Sequence, residues 1–147
     1  MNYKNADDMN SKILELTKKL KKTKGASDVS LKKLETDLGF SLPADYVEFM
    51  RSTNGAEGFV GGNYYLILWP VEEIIPSNKG YAVDEFTPSL KIFGSNGGGT
   101  AYAFDTRSNE VSIVEMPFVS ISLDEVKPCG VTFLDFLQYL AAQWQRK

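Results

Sequence analysis

Histidine is absent from all 147 residues. Its absence excludes Ser-His-Asp and Cys-His nucleophilic catalysis, HExxH zinc sites and histidine-based nuclease centres, all of which need an imidazole as base or ligand. Cysteine occurs once, as Cys129, so no internal disulfide can form. Flanked by Pro128 and Gly130 and with no imidazole to activate it, that thiol reads as a small half-buried hydrophobe rather than a nucleophile. Long apolar runs are missing as well: the longest, Tyr64 to Trp69, stops at Pro70, far short of the roughly 20 residues of a membrane-crossing helix. The opening Met-Asn-Tyr-Lys-Asn-Ala-Asp-Asp has no apolar stretch of signal-peptide type, which makes the cytoplasm the expected location. With neither histidine nor spaced thiol and acidic ligands, no metal and no cofactor are expected.

Basic residues are scarce outside the first 24. That segment holds seven lysines against Asp7, Asp8 and Glu15, net +4, and the whole chain is −3, which leaves residues 25 to 147 at −7. An acidic body repels a phosphate backbone and draws in a basic protein, so the expected partner is a protein and not nucleic acid. Apolar residues, by contrast, are plentiful: 43% apolar and 24% charged is an ordinary globular balance. The length suits one domain over residues 1–147, with a single core that buries roughly two thirds of the unfolded surface.

The chain is organised around Leu90 to Asp105. Two apolar runs, Leu90 to Phe93 and Ala101 to Phe104, flank Asn96-Gly97-Gly98-Gly99, and glycine tolerates the positive φ that a tight hairpin turn demands. In the second run Tyr102 and Phe104 share one face and Ala101 and Ala103 the other, a period-two pattern that predicts a sheet with one bulky and one lean face.

Before this hairpin, Asn10 to Lys24 places Ile13, Leu16 and Leu20 on one face, widened by Leu14, and predicts a basic N-terminal helix within residues 1–24 that Gly25 ends. Its lysines suit a solvated face better than a lipid or nucleic-acid patch, because the apolar stripe is short. Leu31, Leu34 and Leu38 predict a helix over residues 30–38 with Gly39 after it. A third helix follows, with Pro43 in its first position, Asp45 in its first turn, and Tyr46, Phe49, Met50 and Thr53 on one face before Asn54-Gly55. Gly55, Gly58, Gly61 and Gly62 predict a loop, and Tyr64 to Trp69 a strand buried on both sides. Val71 to Ile75 predicts one helical turn before Pro76, and residues 77–88 a loop with a short helix near Asp84 and Glu85.

Val111 to Glu115 and the alternating Val119 to Leu123 predict two further strands. The last element is a helix capped by Thr132 with Asp135 three residues on, carrying Phe133, Phe136, Leu137, Leu140, Ala141 and Trp144 on its inner face.

Other chemistry-bearing patterns do not reach a site. Gly97-Gly98-Gly99-Thr100 lacks the lysine and the following helix of a phosphate-binding loop, and the glycines from Gly55 to Gly62 precede no dinucleotide-type helix. Glu57, Glu72, Glu73, Asp84, Glu85, Asp105, Glu110 and Glu115 are the only catalytic currency left, but their spacing selects no acid and base pair. Asp105, just before Thr106, suits a turn cap.

Leu38-Gly39, Leu42-Pro43-Ala44-Asp45-Tyr46, Asn54-Gly55, Phe93-Gly94, the Gly97-Gly98-Gly99 turn, Tyr102-Ala103-Phe104-Asp105 and the closing Phe133 to Leu140 occur in an order that resembles the SUKH superfamily. That is the domain of the yeast cell-wall synthesis regulator and of many bacterial immunity proteins, and the likeness spans residues 30–140. It implies an α+β fold: a curved, mostly antiparallel sheet with N-terminal helices and a C-terminal helix packed on it. It further implies a non-enzymatic protein that binds and neutralises a toxin, often a nuclease. A regulatory scaffold is the alternative, and a carboxylate-based hydrolase a more distant one. The motif residues Leu42, Pro43, Tyr46, Asn54, Gly55, Gly94, Gly97, Gly98, Gly99 and Asp105 are expected to be structural.

For a basic toxin domain as partner, the contact residues are expected among Glu57, Phe59, Glu72, Glu73, Asp84 and Glu85. They stand in segments that leave the sheet, where rigid scaffolds display binding residues. Tyr64, Tyr65 and Trp69 are aromatic anchors only if the strand that holds them is not covered.

Overall fold

The computed structural model describes residues 6–61 and 64–143. Its elements run α1 (Ala6–Leu16), β1 (Lys21–Lys22), α2 (Asp28–Leu38), α3 (Ala44–Ser52), β2 (Ala56–Val60), β3 (Tyr64–Leu68), α4 (Val71–Gly80), α5 (Val83–Phe86), β4 (Leu90–Ser95), β5 (Thr100–Asp105), β6 (Ser112–Pro117), β7 (Lys127–Gly130) and α6 (Phe133–Ala141). The seven strands form one open sheet in chain order, every neighbour antiparallel. The architecture is α+β, with helices packed on a sheet.

β4 and β5 make the expected hairpin, with Gly97 at φ 82 in its turn. Asn96 organises that turn by accepting from the N–H of Gly98 at 2.8 Å and of Thr100 at 3.1 Å. The bulky and lean faces are both buried. Tyr102 and Phe104 face the helices, where Phe93 stacks on Phe104 at 4.3 Å and Tyr46 meets Phe104 edge-on at 5.1 Å. Ala101 and Ala103 face a second cluster with Leu90, Ile92, Val114, Met116 and Val83. Val83 of α5 and the partly buried Phe118, Ile121 and Val126 cover that lean face. Small side chains let this thin cover lie close to the strands.

α6 is held at its start by two sets of acceptors. The expected capping box is present: Thr132 Oγ1 accepts from Asp135 N at 2.9 Å, and the Asp135 carboxylate accepts from Thr132 N at 3.3 Å. Asp45 of α3 adds its own carboxylate, which accepts from the N–H groups of Phe133 and Leu134, each at 2.9 Å. Four N–H groups at a helix start lack intrahelical partners, and Asp45 satisfies two of them from a distant part of the chain. Phe133, Leu134, Phe136, Leu137 and Leu140 are all buried; Trp144, expected on the same face, lies outside the described residues.

Several expectations are corrected. The first helix ends at Leu16, not near Lys24: Thr17 turns its hydroxyl back to the Ile13 carbonyl, and the chain then adds Lys21–Lys22 as an edge strand. Leu14 is 58% exposed, and Gly25 ends no helix; a side chain there would collide with the Arg51 carbonyl at the end of α3. Pro43 precedes α3 as its N-cap rather than occupying the first helical position.

The glycine-rich stretch expected as a loop is largely strand β2. Gly58, at φ 150, is there for close approach, since a side chain would come within 2.8 Å of the Lys19 carbonyl oxygen; Gly62 and Asn63 lie outside the described residues. β3 is not buried on both sides. Leu66 and Leu68 are buried, while Tyr64, Tyr65 and Ile67 are only partly so.

α4 runs through Pro76 to Gly80. A proline in a helix interior removes a hydrogen bond, and burial of Val71 and Ile74 together with the buried Asn78 holds the helix in place. Asn78 donates to the carbonyls of Ile74 and Ile92 and accepts from Ile92 N, so it ties α4 to β4. Val119 to Leu123 is not a strand: Phe118–Ser120 and Leu123–Glu125 are single 3-10 turns, and the strand beside β6 is β7.

Two stability tests follow. Gly97→Val should destabilise by about 1–2 kcal/mol in urea unfolding, whereas Gly98→Val and Gly99→Val, at positions without positive φ, should cost less. Asp45→Ala should cost about 1–3 kcal/mol by uncapping α6, a loss that unchanged thermal unfolding would contradict.

Candidate partner-binding face

Cross-strand register fixes which side chains share the lean side of the sheet. Lys21, Glu57, Ile67, Ser95, Ala101 and Met116 are successive partners along one row, and Phe59 and Tyr65 form the next. At the β4–β6 end this side is covered by α5 and the 3-10 turns. At the β2–β3 end it is open, with Phe59 47% exposed. Phe59 packs edge-on to Tyr65 at 5.0 Å, and the Tyr65 hydroxyl donates to Glu57 at 2.5 Å. That bond with the carboxylate is the main reason the Tyr65 phenol is pushed above its ordinary range.

Next to this row is a cleft of about 470 Å³, lined by Lys21, Lys22, Asn54, Glu57, Ile67, Trp69 and Glu73 among others. Of the six expected contact residues the structure therefore brings Glu57 and Glu73 into one cleft and sets Phe59 beside it. Glu72 is committed elsewhere: Asn54 donates to it at 2.8 Å and accepts from Val71 N at 2.8 Å, which caps α4. The Asn54 bond is the main cause of the lowered Glu72 carboxyl. Asp84 pairs with Lys91, and Glu85 stands exposed beside it on α5.

Sequence reasoning missed the stack that continues the aromatic row. Trp69 lies parallel to Tyr81 at 6.3 Å, and Tyr81 meets Phe118 at 4.8 Å. Tyr81 stands in a segment without periodicity, and only the fold brings the three rings together.

The motif residues sit at structural junctions. Leu42 is buried and its N–H donates to Glu35 at 2.8 Å; Tyr46 is at the centre of the aromatic core. Gly55, at φ 92, and Gly94 leave no room for a side chain beside the Leu68 and Ile67 carbonyls, and the Gly99 carbonyl receives Phe118 N. Asp105 accepts from the backbone N–H of Arg107 and pairs with its guanidinium at 2.7 Å. Burial opposes ionisation of Asp105, but the bonds from Arg107 outweigh it and leave the carboxyl below its usual range.

Neither sheet edge invites strand addition. β1 is two lysines long, and β7 carries Lys127 and Pro128, devices that discourage edge pairing. A protein partner would therefore meet a face.

Among the described residues no two carboxylates are hydrogen-bonded to each other as an acid and base pair would be. The half-buried carboxylate, Glu115, is raised by desolvation, and Lys127 and Tyr139, rather than a second carboxylate, oppose the shift. Burial pushes the nearby Cys129 thiol up to about 12, which keeps it protonated and inert. Among the described residues no cluster of three or more acidic or cysteine side chains is placed to hold a metal ion, and no helix is long and apolar enough to cross a membrane.

The family model described as SMI1 / KNR4 family (SUKH-1) matches residues 25–139. No curated protein matches the chain.

Glu115 generates a pH test. A carboxyl raised on folding favours the native state at low pH and loses that contribution as pH rises through its folded value. Glu115→Gln should thus gain thermal stability over the parent at about pH 8 and lose that gain at about pH 4. Equal stability differences at both pH values would contradict the assignment.

Proposed function

The chain belongs to the SMI1/KNR4 family, SUKH-1, and from that premise we propose that it is a non-enzymatic intracellular immunity protein that binds and neutralises a toxin domain of basic character. The observation that supports this most is the open, lean side of the sheet. It offers exposed aromatic side chains beside carboxylates, while both strand edges are blunted. Tyrosine and tryptophan are enriched among residues that dominate binding energy, and the −7 charge of residues 25 to 147 supplies long-range attraction for a basic partner.

Division of labour follows from range. Carboxylates act before contact and set the association rate; buried aromatic contacts act after it and set dissociation. Glu73 and Glu85 suit the first role, being exposed and without ion pairs among the described residues. Asp84 contributes less because Lys91 already neutralises it.

The test uses a basic toxin domain encoded beside the chain's gene. Co-expression of the chain should restore growth of cells that carry the toxin. In stopped-flow mixing, charge reversal of Glu72, Glu73, Asp84 and Glu85 should lower the association rate more than about ten-fold, with added salt doing the same to the parent. No protection by the chain contradicts the function; an association rate indifferent to salt and to the variant contradicts steering by these acids.

A further inference from the structure

The layer that covers the lean face has an apolar outer surface of its own. Tyr81 is 45% exposed, Phe86 63% and Val119 95%. Val119 directly follows Phe118, whose ring rests on Tyr81, and Phe86 shares the short α5 with the fully buried Val83. These are not side chains on slack segments. Phe118 N donates to the Gly99 carbonyl at 2.8 Å, Thr87 N donates to the Val83 carbonyl at 2.7 Å, and Ala82 takes a left-handed conformation, φ 56, to join α4 to α5. A non-glycine residue persists there only when its surroundings hold it.

Charge says what this surface suits. Glu85 at the start of α5 and Asp124 and Glu125 in the second 3-10 turn are exposed, and among the described residues none has an ion-pair partner. An apolar occupant over Phe86 alone would desolvate Glu85, its neighbour in α5, without compensation, and a hydrophilic cation alone would leave Phe86 and Val119 in water. Aromatic faces also attract guanidinium and ammonium groups.

Building on the immunity reading, we propose that the Trp69–Tyr81–Phe118 stack with Phe86 and Val119 is the anchor for the partner, and that its occupant is a protein segment in which an aromatic or aliphatic side chain lies between arginine or lysine residues. The apolar side chain covers Phe86 and Val119, the cations meet Glu85 and Asp124, and the segment docks across the face rather than adding as a strand.

The probe is a displayed library of short random peptides, selected on the full chain and counter-selected on an unrelated protein of equal negative charge. Enriched peptides should combine basic residues with an aromatic or aliphatic one. Their affinity should fall at least about ten-fold for the double variant Tyr81→Ala with Phe86→Ala, and likewise for Glu85→Lys with Asp124→Lys. All four positions are exposed or partly so, and unchanged circular dichroism and thermal unfolding would certify the variants as folded. Peptides that hold both variants as tightly as the parent, peptides without basic residues, or no enrichment over the acidic control would each overturn the proposal. The two readings fail separately. Peptide selection without protection from a toxin removes the immunity role and leaves the surface, whereas full protection by the variants places the anchor elsewhere.

Discussion

Both oxygens of the Asp45 carboxylate accept hydrogen bonds from the first turn of α6, across 88 and 89 residues of sequence. Charge-assisted bonds of this kind are short and directional, and they fix one helix end against another. With Asp45 set, its neighbour Tyr46 lies 5.6 Å from Phe133, and Phe136 reaches Phe93 at 5.5 Å and Tyr102 at 4.9 Å. One polar contact thereby sets the register of the aromatic core that packs helices against the hairpin. A second polar residue, Asn78, does the same for the other flank by tying α4 to β4.

The two sides of the sheet meet different physical demands. The bulky side is filled by long helices, and its rings interlock at 4.3 to 6.2 Å. The lean side needs less volume at its alanines and is covered by one helical turn of α5 and two 3-10 turns. Such a cover cannot extend over β2 and β3, so Phe59, Tyr65, Ile67 and Trp69 remain partly in water. The same thinness lifts Tyr81, Phe86 and Val119 to the outside. Exposure of these side chains is a geometric consequence of building the lean face from small residues, and it places Phe86 next to the acids Asp84 and Glu85 of α5.

Two lysines of the first 24 residues, Lys21 and Lys22, also acquire a place. Lys21 lies opposite Glu57 and Lys22 opposite Ala56 at the sheet edge, where lysine blunts strand addition. The charge asymmetry legible in the sequence thus becomes a basic edge beside an otherwise acidic body. Under the proposed function, that arrangement would steer a basic partner toward the face and away from the β1 edge.

Local chemistry determined a good deal without the fold. The Gly97 turn, the Thr132–Asp135 capping box, the left-handed Gly39 after α2 and the two-sided Tyr102–Ala103–Phe104 pattern depend on dihedral preference and on contacts a few residues apart, and their residues announce them. The family motif was readable for the same reason, since its glycines and prolines mark backbone junctions. What the chain could not disclose are features decided by partners far away in sequence. Gly58 reads as loop until Lys19 and Leu20 press against it; Pro76 reads as a stop until Asn78 is tied to β4; Val119 to Leu123 alternates like a strand, yet β7 takes the place beside β6. Asp45 reads as a first-turn acid of its own helix, and only packing makes it the cap of another. Of the candidate face, the acids Glu57 and Glu73 and the ring of Phe59 were legible as residues, but their gathering beside Trp69, and the Trp69–Tyr81–Phe118 stack, were not. Periodicity reports the faces of single elements, whereas a binding surface is made where several elements meet, and which elements meet is settled by long-range burial and hydrogen bonding.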